Sequence, residues 1–256
     1  MQSELAALDE QQADLAGLLA GCDASDWLRP SRCVGWSVSD VVLHLAQTNE
    51  LATASALGRF TEGAVELARG ASRAGSIDDA AARTVERDRH LSPGEVHRRW
   101  AVSVRTLAEA LAGCQDGRRL DWVAGELSAR TLATTRLAET WIHTGDVADA
   151  VADDPEPFVS VPGVRLRLIA RLAWRTLPYA FALGGRELSG PVAFELTGPG
   201  GEAWAFEPDG AAVTRVSGPA VDLCRVAARR LAPGDTSLVV AGPDGDMVLE
   251  LVRTYA

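Results

Sequence analysis

The stretch from Ser128 to Val151 constrains this chain more than any other. Its helical wheel is apolar nearly all round, with Leu132, Leu137, Trp141, Ile142, Val147 and Val151 pointing in different directions. A helix of that kind is buried rather than superficial. One narrow strip departs from the pattern. Glu139, His143 and Asp146 share a face, with Leu132 and Ala150 on the same strip. Buried carboxylates are costly unless paired or bound to a metal, and a solvated face would not be bordered by apolar residues at both ends. A carboxylate and an imidazole one helical turn apart can take two adjacent positions on a divalent ion. Asp146, a turn further along, can orient such a ligand through a hydrogen bond.

A third ligand has to come from another element, and His44 is the candidate. Ser37 and Asp40 fit a capping box, and Trp36 before the cap can staple onto Val41. The helix they open carries Val38, Val41, Val42, Leu45 and Ala52 in one broad apolar arc. His44 lies at the edge of that arc and faces the interior obliquely, where an imidazole needs a partner. On its own, a histidine there is more often a hydrogen-bonded core residue than a ligand.

The composition removes most competing chemistries. All 25 basic residues are arginine. Without a lysine there is no Schiff base, no lysine-linked pyridoxal phosphate and no Walker-type phosphate loop. No Gly-x-Ser-x-Gly elbow or Gly-x-Gly-x-x-Gly fingerprint is present either. The formal charge of −10 argues against nucleic acid or an anionic membrane surface as partner. No apolar run approaches the about 18 residues of a membrane span, and the start lacks a signal peptide's basic residues; a cytoplasmic protein is expected. Cys22, Cys33, Cys114 and Cys224 are scattered, with no Cys-x-x-Cys, so reduced, structural thiols are expected rather than disulfides or a cysteine zinc site.

Along the chain, residues 3–20 form an amphipathic first helix and 22–36 a loop. The stretch 63–76, rich in Gly, Ala and Ser, predicts a bend, and 77–90 a short exposed helix. Ser92-Pro93-Gly94-Glu95 opens a helix to about Ala112 with Trp100, Val104, Leu107 and Leu111 on one face. His97 falls in line with that stripe and reads as a core histidine or an extra lining of the site; His90, at a helix end, carries no assigned function. Asp153-Asp154-Pro155-Glu156-Pro157 reads as a linker, followed by a helix over 163–183. Beyond Gly184-Gly185 the pattern changes to strands: 192–197 and 203–207 flank Gly198-Pro199-Gly200-Gly201 as a hairpin, and 211–216 follows. A helix over 219–231 and extended segments at 236–241 and 247–252, the last also readable as helix, complete the chain. The fold class is α+β in two domains, an all-α domain over 1–152 and an α+β domain with its bridging helix over 153–256.

Two motifs resemble a known family. Cys33-Val34-Gly35-Trp36-Ser37-Val38 with Asp40-Val41-Val42-Leu43-His44-Leu45, and Glu139-Thr140-Trp141-Ile142-His143-Thr144-Gly145-Asp146, are similar to the two signatures of the mycothiol-dependent maleylpyruvate isomerase family. The resemblance implies a DinB-like four-helix bundle whose divalent metal is held by His44, Glu139 and His143. It also implies a C-terminal α+β domain, sterol-carrier-like in some members. An arginine of that domain is expected to reach the site; Arg215, Arg225, Arg229 and Arg230 are possible equivalents that no motif separates, with Arg225 and Arg229 carried forward. Segments 175–181 and 222–225 look like a subgroup described only as metal-binding.

The resemblance implies an enzyme in which two histidines and a glutamate leave an open position on Zn²⁺, or alternatively Ni²⁺. A thiol bound there would be deprotonated. Mycothiol is then the expected co-substrate, for isomerisation or S-conjugation of an electrophilic small molecule, with Asp146, Arg225 and Arg229 as candidate catalytic groups. Two alternatives are a metal-water hydrolase or hydratase without thiol, and a non-catalytic protein that binds a hydrophobic small molecule and keeps a structural metal. Substrate and oligomeric state are left open.

Overall fold

The central helix is α6, Ala129–Val151, and it starts where its cap dictates: Ser128 Oγ accepts the Thr131 N–H at 3.1 Å. Arg29 closes its far end, donating from one guanidinium nitrogen to the carbonyls of Ala150 and Val151 at 3.4 and 3.2 Å. The computed structural model describes residues 1–71, 75–115, 117–152 and 163–254. The proposed linker at Asp153–Pro157 lies outside them. The chain divides into two compact units, Met1–Val159 and Ser160–Tyr255.

In the first unit α6 packs with α1 (Gln2–Ala20), α2 (Val38–Ala56) and α5 (Pro93–Ala112) as a four-helix bundle. Each helix touches two neighbours, α1 and α2 both lying against α5 and α6. Leu15, Val41, Val42, Leu45, Trp100 and Val147 fill the interior and are buried. The capping box at Ser37 is formed: its hydroxyl accepts the Asp40 N–H at 3.3 Å, and the Asp40 carboxylate accepts the Ser37 N–H at 2.8 Å. Polar residues within the bundle find one another. Gln11 and Gln12 of α1 donate to Thr144 and Thr140 of α6 at 3.2 and 3.3 Å.

Two shorter helices lie outside this frame, α3 (Phe60–Ala68) and α4 (Ile77–Asp88). The expected bend over 63–76 is therefore shorter, because its first residues continue α3. Gly63 explains how: a Cβ there would stand 2.5 Å from the Cβ of Ala54, so its absence lets α3 lie close against α2. A two-residue ladder, β1 (Arg119–Leu120) with β2 (Leu127–Ser128), precedes α6.

The second unit opens with α7 (Gly163–Arg175) and α8 (Leu177–Leu183) in place of one expected helix over 163–183. Pro178 accounts for the break, since it has no N–H to donate and its ring clashes with the carbonyl four residues back. A sheet follows in the order β4-β3-β5-β6, with β3 Val192–Thr197, β4 Ala203–Phe206, β5 Thr214–Pro219 and β6 Val239–Ala241. The β3–β4 hairpin pairs Phe194 with Phe206, while β3 and β5 run parallel with Phe194 opposite Val216. Phe194, Leu196, Trp204, Phe206 and Val216 are buried, and α7 and α9 (Ala220–Ala227) contact the sheet. Residues 245–251 form α10 rather than a strand. Its buried residues, Gly245, Val248 and Leu249, follow helical spacing and not alternation. Among the described residues, no helix is long and apolar enough to cross a membrane.

Candidate metal centre

Antiparallel packing of α2 and α6 brings His44 opposite Glu139. The His44 Nε2 stands 3.3 Å from Glu139 Oε2, and the His143 Nε2 lies 3.8 Å from the same oxygen. One ligand atom from each of the three residues falls within 4.8 Å of the others. His44 and His143 are buried at 8% exposure each, their rings edge-on at 5.2 Å, and Glu139 is half-buried. Trp36 stands against the His44 ring, 5.2 Å between centroids.

Behind His143 sits Asp146, fully buried. Its Oδ2 is 2.9 Å from His143 Nδ1. A neutral imidazole that donates its Nδ1–H to this carboxylate turns the lone pair of Nε2 toward Glu139 and His44, the orientation metal-binding histidines show. Burial disfavours charge on His143, but the hydrogen bonds with Asp146 and Cys33 outweigh it and push its pKa up to about 10. Glu139 moves the other way: burial alone would raise it, yet His44 and His143 hold it down to about 2. For His44 burial dominates and depresses the pKa, so this ring is held neutral. Its Nδ1 is buried without a hydrogen-bond partner among the described residues.

The donor set fits a first-row divalent ion. A tetrahedral centre with Zn–N and Zn–O bonds of 2.0–2.2 Å holds its donors roughly 3.4 Å apart, close to the separations seen. Two imidazoles and one carboxylate leave one position open, the pattern of catalytic rather than structural zinc.

The loop between α1 and α2 contributes more than its composition suggests. Cys33 Sγ lies 3.4 Å from Asp146 Oδ2 and 3.9 Å from His143 Nδ1. The loop is fixed at both ends of this contact. Trp36 N–H donates to Cys33 O at 2.9 Å across a turn whose third residue, Gly35, has φ +79°, as a type II turn requires. Arg89 bonds Asp40 and the Gly35 carbonyl, each at 3.0 Å, and Arg32 pairs with Asp149 of α6 at 2.6 Å. Sequence reasoning treated Cys33 as a structural thiol; its position just before the helix of His44, inside the same motif, was the available signal.

Other expected positions fall elsewhere. His97 is exposed, not core: it sits in the first turns of α5, with Trp27 at 5.9 Å and Trp100 at 6.0 Å on its flanks. Arg225 and Arg229 belong to the second unit. Arg225 is half-buried on α9, and Arg229 is exposed just beyond its end with φ +58°. Arg230 N–H bonds the Arg225 carbonyl at 2.8 Å, closing the helix. Arg215, on β5, is tied to Glu195 and Glu207.

Comparison with known proteins bears on the whole arrangement. Residues 8–148 match the model of the mycothiol maleylpyruvate isomerase N-terminal domain, which spans over half the chain and contains His44, Glu139, His143 and Asp146. The chain belongs to that family. Two relatives in Mycobacterium tuberculosis, the uncharacterized proteins Rv0036c (strain ATCC 25618 / H37Rv) and MT0041 (strain CDC 1551 / Oshkosh), are each 33% identical over 253 residues, covering 98% of this chain and 95% of theirs. Crystal structures of the mycothiol-dependent maleylpyruvate isomerase and of a histidine-to-alanine mutant share the fold. Their TM-scores are 0.59 and 0.60, over 95% of both chains, at 19% and 17% identity. The two-domain α+β fold is thus that of the isomerase.

Proposed function

We propose that this family member is a divalent-metal-dependent enzyme that uses a low-molecular-weight thiol of the mycothiol type on an electrophilic small molecule. The observation that carries the reading is the buried convergence of His44 Nε2, Glu139 Oε2 and His143 Nε2, with His143 turned by Asp146. Zinc is the first choice for a two-nitrogen, one-oxygen donor set and nickel the second. An ion held there would lower the pKa of a thiol at its open position, so that the stronger nucleophile is present at neutral pH.

The protein's own groups do the rest. Asp146 keeps the Nδ1 proton on His143 and fixes the ring. Glu139 supplies the negative charge that would hold a cation between the two imidazoles, with His143 giving up its Nε2 proton to the ion. Trp36 gives the site an apolar wall beside His44, which limits water near a nucleophile. Arg225 and Arg229 are assigned to the substrate's anionic groups, as cations of the second unit. Addition of the thiolate to an activated double bond gives a carbanion; rotation about the new single bond and expulsion of the thiolate is an isomerisation, whereas protonation of the carbanion by solvent gives an S-conjugate.

The test combines metal content with a thiol-dependence screen. Protein purified without chelator should carry about one divalent ion per chain, and turnover of activated alkenes should need both metal and added thiol. No metal uptake from zinc or nickel solutions sinks the reading. Turnover that needs metal but not thiol replaces it with a metal-water hydrolase, and ligand binding that survives metal removal in a folded protein replaces it with a carrier.

A further inference from the structure

His143 stands between two sets of donors, and only one is used above. Its Nε2 faces His44 and Glu139, while its Nδ1 faces Asp146 Oδ2 and Cys33 Sγ. The second set has separations of 2.9 Å from Nδ1 to Oδ2, 3.4 Å from Sγ to Oδ2 and 3.9 Å from Sγ to Nδ1. An ion with a metal–sulfur bond of about 2.3 Å and metal–nitrogen and metal–oxygen bonds near 2.1 Å would place these atoms roughly 3.4–3.6 Å apart. Each pair therefore needs to move by no more than about half an ångström for an ion of zinc's size, and the 2.9 Å pair has to open further for a larger one. Cys33 is half-buried, so solvent can complete the coordination. The turn at Gly35 and the Arg89 clamp hold the thiol in place without any metal.

From this geometry we propose that Cys33, His143 and Asp146 form a second, thiolate-containing site for a soft metal ion such as Cd²⁺, and that filling it disables the His44–Glu139–His143 site. The two sets differ in softness: the first offers two nitrogens and an oxygen, the second replaces one nitrogen with sulfur, and thiolate favours soft cations. They also exclude each other. A neutral imidazole has one lone pair and one N–H. In the first site the lone pair is on Nε2 and the proton on Nδ1, bonded to Asp146. In the second, Nδ1 becomes the ligand and the proton moves to Nε2, where it points at Glu139. The Cys33 thiol gives its proton to solvent as the sulfur–metal bond forms, so binding at this site releases protons. Competition with the first site rests on the metal reading given above; the existence of the second does not.

The experiment titrates Cd²⁺ into the metal-free full-length chain and follows the ultraviolet sulfur-to-cadmium charge-transfer band and proton release. One equivalent should give the band and release protons, with fewer released by Cys33→Ser. Cys33→Ser should abolish the band, while Glu139→Gln, which cripples only the first site, should retain it. In unsubstituted protein, Cd²⁺ should slow alkylation of Cys33, mapped by mass spectrometry, and leave Cys22 and Cys114 unaffected; this arm does not depend on a variant folding. Protein preloaded with zinc should release it to excess Cd²⁺, and Cys33→Ser should need at least tenfold more. A band that persists in Cys33→Ser, or no band and no protection of Cys33, overturns the site. Zinc and cadmium retained together, one each, with the band present, overturns the mutual exclusion. Failure of zinc to bind at all, with the cadmium band intact, counts against the proposed function and leaves the second site standing.

Discussion

Asp146 meets His143 at Nδ1, away from the nitrogen that faces Glu139, and so decides which nitrogen of the ring is available to the candidate centre. Its carboxylate is fully buried and bonded at 2.9 Å. Asp146→Asn should therefore weaken metal binding roughly 10- to 100-fold, the usual cost of losing such a partner, without abolishing it. His44→Ala, Glu139→Ala and His143→Ala each remove a donor and should reduce metal stoichiometry to near zero while the bundle stays folded. Equilibrium dialysis and thermal melting of the four variants check both statements; unfolding of all three donor variants would make the ion structural. The sequence carried the Glu139–His143 spacing, because helical geometry fixes it. It did not carry the distance from His44, which depends on how α2 packs against α6, and so the motif resemblance was needed to choose it. Cys33 was missed because a loop has no periodicity to read, and only the packed turn shows that its sulfur meets Asp146.

Helix α4 is held by charge more than by apolar burial, since only Thr84 and Val85 are buried on it. Asp88 at its end accepts from Arg99 of α5 at 2.7 Å and from Gln47 of α2 at 3.0 Å, and Arg99 also bonds Glu50 with two 2.7 Å contacts. Burial would raise the Asp88 pKa, but its bonds to Arg87, Arg99 and Gln47 hold it well below the usual carboxylate range. A depressed carboxylate stabilises the fold above its unfolded pKa and loses that contribution as pH falls through the folded value. Asp88→Asn should thus cost on the order of 1–2 kcal/mol at neutral pH, and the gap to the unsubstituted protein should narrow below pH 3.8; urea melts across that range measure it. At the start of α6, Ser128→Ala should cost about 1 kcal/mol, read from the same melts. These helices were legible where a cap or a long apolar stripe marked them, as at Ser37, Ser92 and Ser128. The elements misread or left open between strand and helix were the short ones. Pro178 split a helix whose apolar spacing ran on unbroken, and α10 is too short for seven residues of mostly apolar sequence to declare a period. The parallel pairing of β3 with β5 joins strands separated by β4, an arrangement no local pattern encodes.

At the scale of the whole molecule, the bundle core and the sheet core belong to different units, and every donor of the candidate centre lies in the first. A ligand that binds only a folded state stabilises that state by RT ln(1 + [L]/Kd), about 2.7 kcal/mol at a hundredfold excess over Kd. The stabilisation acts on whatever unfolds cooperatively with the site. If each unit unfolds on its own core, calorimetry should resolve two transitions, and zinc should raise only the one belonging to the bundle. Tryptophan placement gives an independent assignment, because Trp27, Trp36, Trp100, Trp122 and Trp141 lie in the first unit and Trp174 and Trp204 in the second. Replacing Trp174 and Trp204 with phenylalanine leaves fluorescence that reports the bundle alone, and its midpoint should follow the zinc-sensitive transition. A Trp141→Phe change is unsuitable, since that ring fills the centre of α6's packing at 2% exposure. Should zinc move a single transition that both tryptophan sets share, the two units unfold together, and the ion stabilises both rather than the bundle alone.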